Sequence, residues 1–357
     1  MALYLAYVVS PAIVYLLMII VYRKPIFHDK RLKKAFLIVC GIIMFLMIGL
    51  RSPDIGSGDT KFYYENWKQM SDVNAKNIKL AIESLDMEWG YVLSVWVFSH
   101  IFPAPQMLLV ISAAFFAWTV CRFVGKNSKN PLLSLIVFNS LGTFNFMIQG
   151  LRQAIAMCIC VWAIDQCEKK HFVKFALMIV LACFFHASAI VFAIVWILSK
   201  LKMNSKDLLF FGGCAVMAVI FLPVIFEIID AIIKDTYAIG TPAKSGGFVA
   251  VLIYIVIIAF SFLVGRNSVS DYSTYIYMTF VVLTMFVMRN TVSGVAERVG
   301  YYFAFGSMIV LPNSIDSVVD ERQKALYNFF AVILCFGVAV YKASYSVIIP
   351  YYLFWVN

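Results

Sequence analysis

The chain has 357 residues, of which 63% are hydrophobic and only 13% charged, with a formal net charge of +10. Soluble domains carry about 25% charged and about 45–50% apolar residues, so a soluble fold of this composition would leave apolar surface in water, and the integral membrane class remains. The basic excess lies in short clusters between apolar runs, as in loops facing anionic lipid, which excludes nucleic acid as a partner.

Residues 2–22 form the first apolar run. The basic cluster follows this run instead of preceding it, so it reads as a first transmembrane helix with its N-terminus outside, not as a signal peptide. Further spans are predicted at 35–50, 106–124, 131–148, 153–167, 208–228, 248–265, 272–289, 299–312 and 326–342. Residues 89–103 are short for a span and stop at Pro103, which suits a re-entrant or interfacial helix. Residues 172–199 are too long for one ordinary helix. A hairpin of two half-length helices, broken near His186–Ser188, places most Lys and Arg on the cytoplasmic side. At about 1.5 Å per residue, residues 172–186 rise about 22 Å, short of an apolar core about 30 Å thick. The expected fold is an all-α integral membrane protein, a polytopic bundle of about 12 membrane helices including broken or half-length ones. It forms a single polytopic membrane domain over 1–357, with both termini extracytoplasmic. Residues 51–88 are read as a long extracytoplasmic loop and 230–247 as a mobile one.

The eight cysteines lie in or at the ends of apolar runs, none in a loop placed outside, so disulfides are not expected. Nothing in the spacing reads as a zinc or haem site, a phosphate-binding glycine loop or a dinucleotide fingerprint. No cofactor or metal is therefore expected.

Five polar motifs interrupt the apolar pattern. Gly49–Thr60 leaves the second span as a glycine-loosened stretch carrying Arg51, Asp54 and Asp59, followed by Tyr63 and Tyr64. It could present a guanidinium to phosphate and a carboxylate to a hydroxyl; for Arg51 alone, snorkelling at the interface is the simpler reading. Gln149–Ala154 lies between two spans with almost no polar loop, so Arg152 starts a helix at membrane depth. Helix N-termini attract anions, and an arginine adds bidentate phosphate recognition. The bland reading is an anchor for a tight hairpin, but ionisable residues within a membrane default to function. His186, at the proposed break, is either a packing residue or a general base. Glu297-Arg298 repeats the arginine motif, or is a local interfacial pair. The terminal Pro350-Tyr351-Tyr352 reads alone as an aromatic belt anchor. The expected topology puts Arg51, Asp59, Arg152, His186 and Arg298 on one side. Several arginines sharing a cavity would repel one another unless an anion or acids compensate, which suggests a diphosphate site.

The same residues carry a resemblance. Gly-Leu-Arg with a following Gly-x-Asp (49–59), Glu88-Trp89-Gly90-Tyr91, Gly-Leu-Arg-Gln-Ala-Ile-Ala (150–156), Phe-His-Ala-Ser-Ala (185–189), Glu-Arg-x-x-Tyr-Tyr (297–302) and Pro-Tyr-Tyr (350–352) occur in order. Together they resemble the EpsG family of bacterial exopolysaccharide and capsule assembly proteins, relatives of Wzy-type polymerases. The resemblance implies a bacterial cytoplasmic-membrane glycosyltransferase that polymerises undecaprenyl-diphosphate-linked oligosaccharide repeat units on the extracytoplasmic face, without a metal. It implies Arg51, Arg152 and Arg298 as diphosphate ligands and Asp59, Glu88 and His186 as candidate bases. Tyr63, Gln153, Glu297 and Tyr302 complete the substrate contacts. Membrane lipid, a flippase and a chain-length regulator are the further partners implied. A flippase for lipid-linked oligosaccharide, an O-antigen-type ligase, an acyltransferase and a non-catalytic scaffold are the competing readings.

Overall fold

The computed structural model describes residues 2–56, 59–85, 87–233, 247–265, 268–292, 294–344, 346 and 349–355. The expected mobile loop 230–247 falls largely outside them. Among the described residues the chain is helical throughout. It begins with α1 (Ala2–Tyr22) and α2 (Lys30–Gly49), the latter capped by Asp29, whose carboxylate accepts from the N–H groups of Arg31 and Leu32. The segment expected as a loop folds into α3 (Asp59–Ser71) and α4 (Ile78–Ser84), followed by α5 (Trp89–Ile101). Then come α6 (Gln106–Asn127), α7 (Pro131–Ser140), α8 (Thr143–Gln149), α9 (Leu151–Glu168), α10 (Phe172–Cys183) and α11 (Val195–Leu198). The remaining helices are α12 (Ser205–Ile233), α13 (Gly247–Leu263), α14 (Ser273–Val292), α15 (Gly294–Phe303), α16 (Ser307–Asp316) and α17 (Glu321–Ala343).

Among the described residues, five helical segments are long and apolar enough to cross a membrane: α1, α2, α6, Val269–Arg289 and α17. Counting α7 and α8, bent by 55° at their junction, as one span makes six. The sequence led to about twelve. The difference has a physical cause: several apolar runs are cut into pieces shorter than a bilayer, as in Phe172–Cys183, Ala187–Leu198 and Phe248–Leu263. The run at 299–312 is likewise split among α15, a 3-10 turn and α16.

By its internal contacts the chain divides into two compact units, Met1–Ala193 with Val332–Asn357, and Ile194–Ala331. In the first, α2 and α6 pack closely because small residues face each other. A Cβ on Gly41 would lie 3.1 Å from Cys121 Sγ, and one on Gly125 only 2.9 Å from Leu37 Cδ1. Without a strong hydrophobic drive inside lipid, such close backbone approach is what holds membrane helices together. The segment 172–199 breaks where expected, between α10 and a 3-10 stretch, Ala187–Ile194. α10 lies along α9.

The bend between α7 and α8 frees backbone carbonyls that lipid could not satisfy. Gly142 turns the chain with φ +93°, and Lys342 Nζ donates to Leu141 O at 2.6 Å. Tyr4 Oη donates to Asn145 Oδ1 at 3.0 Å on the other side of the bend. Replacing Lys342 by Met should therefore leave Leu141 O without its ammonium and lower stability by about 1–3 kcal/mol. Thermal unfolding of the purified membrane protein measures this; an unchanged midpoint would mean that the ammonium contributes nothing at the bend.

In the second unit, α14 lies against α13, α15 and α16. Gly306 and Gly265 permit close approach there: an added Cβ would sit 2.6 Å from Tyr275 O and from Tyr272 Oη respectively.

Candidate functional site

Five helix ends meet at one side of the first unit: the C-termini of α2 and α10 and the N-termini of α5, α6 and α9. The end of α2 is secured first. Gln106, opening α6, donates from Nε2 to Gly49 O at 2.6 Å and Arg51 O at 3.2 Å, while Tyr64 Oη donates to its Oε1. Trp67 Nε1 donates to Phe102 O at 3.1 Å and Trp96 Nε1 to Val73 O at 2.7 Å, which fixes the α3–α4 layer over α5.

Glu88 is the hub of this end. One carboxylate oxygen is ion-paired with Arg152 Nη1. The other accepts from Ala187 N–H at 3.0 Å and faces His186 Nδ1 at 2.9 Å. Arg152 Nε donates to Tyr63 Oη at 3.2 Å, and its guanidinium carbon lies 5.9 Å from the Tyr63 ring centre. Tyr91 packs edge-on against Tyr63, with centroids 5.5 Å apart. Burial of Glu88 works to raise its pKa. The hydrogen bonds from His186 and Ala187 N–H, with the Arg152 charge, outweigh that and hold it at about 2 against an ordinary 4.5. Glu88 is thus an anion at neutral pH, able to orient the imidazole and weak as a base itself. The break after α10 gives Glu88 its backbone donor: Ala187 N–H is not committed to the helix that ends at Cys183.

Gly90 lets α5 reach this break. Tyr91 N–H donates to Phe184 O at 3.2 Å, the Trp89 and Phe184 rings lie 4.6 Å apart, and a Cβ at Gly90 would fall 2.6 Å from Phe184 O.

The other expected residues divide. Arg51 corrects the reading of a guanidinium offered to phosphate: it has 0% exposure. Its Nη1 donates to Ile55 O at 2.7 Å, and its Nη2 to Ile148 O at 2.8 Å and Thr60 Oγ1 at 3.3 Å. Burial lowers its pKa to about 10, so it stays charged at neutral pH while clamping the 51–60 segment to α8. Asp59 is exposed in the first turn of α3, one turn before Tyr63; the preceding Ser57 and Gly58 lie outside the described residues. Gln153 is 4% exposed and Tyr302 0% exposed.

Tyr302, Glu297 and Arg298 belong to the second unit. Glu297 pairs with Arg289 at 2.8 Å and accepts from Tyr301 Oη at 3.0 Å. Gly300 sits against Met285 and Phe286 and lets α14 and α15 close on each other. Arg298 is exposed.

Sequence reading also missed Gln106, Arg289 and the role of the tail. Leu353 forms an antiparallel bridge with Arg51, Ser52 N–H donates to Tyr352 O at 3.1 Å, and Phe354 N–H to Leu50 O at 3.0 Å. Tyr351 is buried beside this bridge. The signal that could have pointed to the tail was its place in the ordered motif series, against its reading as an interface anchor.

Fold and site define a polytopic helical membrane protein with an arginine–carboxylate–histidine constellation at the ends of its helices. A family model described as the EpsG family matches residues 34–353, and the chain belongs to that family. It is thereby a membrane protein of polysaccharide biosynthesis. No curated protein and no solved structure matches the chain.

Proposed function

We propose that this EpsG-family chain is a polysaccharide polymerase, transferring a growing glycan between undecaprenyl-diphosphate-linked oligosaccharides on the extracytoplasmic face of the bacterial cytoplasmic membrane. The observation that carries this reading is the joining of Arg152 and His186 by one carboxylate, Glu88, where the helix ends meet. Glu88 fixes the imidazole through Nδ1 and leaves Nε2 to take the proton of an acceptor hydroxyl, the division of labour of a carboxylate–histidine pair. The acceptor oxygen then bonds to the anomeric carbon of the donor sugar with inversion. The carbon–oxygen bond to the diphosphate breaks, and its electron pair leaves with the diphosphate. Arg152 stabilises the negative charge developing there. The polyprenyl tail remains among the surrounding lipid. Arg51 is assigned a positioning role, as its donors hold backbone carbonyls. Asp59 is the alternative base, on the exposed turn one step from Tyr63.

In a deletion host restored with Arg152→Ala at wild-type membrane abundance, polymer formation should fall by about 10²–10³, leaving single repeat units on lipid. Long polymer still attached to lipid would indicate ligation or export. Normal polymer would remove the site while leaving the fold.

A further inference from the structure

At the opposite end of the first unit, a lateral groove of about 760 Å³ runs along the packed α2–α6 pair, within the range of about 300–1,000 Å³ typical of ligand sites. Gly41, Ala114 and Ala117 form part of its floor, and Ile38, Ile42 and Trp118 are apolar side chains exposed along its walls. The mouth has the opposite character, with Lys30, Lys33, Lys34 and Arg122 lining it. The carboxylates at this end are already engaged. Asp165 takes Arg122 and, at 2.7 Å, Lys126, and Glu168 takes Lys126 at 2.6 Å. Asp29 takes Lys24 at 2.8 Å. Lys33 Nζ donates to Ser128 O at 2.9 Å, a neutral acceptor, and Lys30 and Lys34 are exposed. The mouth therefore carries uncompensated positive charge directly above an apolar slot.

We propose that the α2–α6 groove binds a phosphate-headed anionic phospholipid, with an acyl chain against Ile38, Ile42 and Trp118 and the headgroup phosphate on Lys30 and Lys34. Charge complementarity at the mouth selects this occupant over a neutral lipid or an apolar helix, either of which would leave those cations unmatched. The proposal does not depend on the polymerase reading, because the groove lies at the other end of α2 and α6 from Glu88.

Trp118 reports occupancy directly. The full chain in phosphatidylcholine micelles is titrated with phosphatidylglycerol bearing brominated acyl chains, and the Trp118→Phe variant is subtracted to isolate the quenching of that one indole. Saturable quenching by brominated phosphatidylglycerol is expected at concentrations where brominated phosphatidylcholine gives none. A lysine beside an anionic headgroup is worth roughly fivefold in affinity, so Lys30→Gln with Lys34→Gln should raise the half-quenching concentration on the order of twenty-five-fold. Both side chains are exposed, so this variant should fold. Ala114→Phe, which fills the slot and leaves the lysines in place, should abolish the saturable component. Equal quenching by both lipids would overturn the proposal, as would wild-type titrations from the two variants. Displacement by inorganic phosphate at the same concentration would reduce the site to a simple anion site and equally overturn it.

Discussion

Glu88→Gln should cut polymer formation by at least about a hundredfold while leaving the chain in the membrane, the effect of disabling a positioned general base being about 10²–10⁴. The substitution keeps the shape and removes the charge. One amide oxygen can still accept from Ala187 N–H or His186, but the new NH₂ then faces Arg152 Nη1, donor against donor. The imidazole loses the anion that orients it and the guanidinium loses its counter-charge. Breaking a partly buried pair should also cost about 1–3 kcal/mol of stability. The pH dependence identifies this contribution. The folded carboxyl sits at about 2 instead of 4.5, a depressed value, so its stabilisation is complete above pH 4.5 and is lost as the pH falls toward 2. Unfolding curves of wild type and Glu88→Gln should stay apart above that window and converge within it. A separation unchanged across the window would refute the ion-paired carboxylate.

Gly90→Ala should be nearly as damaging, although it adds only a methyl group and touches no charge. The new Cβ would meet Phe184 O at 2.6 Å and Phe184 Cβ at 2.7 Å, and the closest of these atoms is backbone. Either α5 or the end of α10 must move. Overpacking of this kind costs about 1–3 kcal/mol. Glu88 lies two residues before Gly90 and His186 two residues after Phe184, so any separation there stretches the Glu88 contacts. A misplacement of about 1 Å can cost about a hundredfold in rate, and polymer should fall by that order. Gly212→Ala is the matched control: nothing lies within 4 Å of its added Cβ, and its stability change should stay within about 0.5 kcal/mol. Equal behaviour of the two variants, in unfolding midpoint and glycan length, would mean that the α5–α10 approach is not required.

Composition and apolar runs were enough to define the membrane class and helical architecture, and the ordered motifs were enough to point to the family. Arg152 and His186 were each legible as isolated signals, because ionisable groups stand out against an apolar background, and Glu88 only through the ordered motifs. Their union was not, since it depends on which helix ends come together, and hydropathy carries no such information. Burial was equally invisible. Arg51 reads like Arg152 in sequence, yet one is enclosed by backbone carbonyls and the other pairs with Glu88. The lengths of the membrane helices were not legible, because an apolar run says nothing of where the backbone breaks within it. The Arg289–Glu297 pair was not legible either, because the two residues lie on different helices and local periodicity does not reveal which side chains meet.

The bridge between Arg51 and Leu353 also sets the order of events during biogenesis. Residues 50–52 enter the membrane early, whereas the segment that completes their backbone pairing is translated only after the intervening helices. Until then Leu50 O and Ser52 N–H lack these partners, and the segment holding Arg51 is secured from one side alone. The Glu88 end of the bundle therefore matures late, and a chain cut short before residue 350 lacks the backbone pairing that secures residues 50–52.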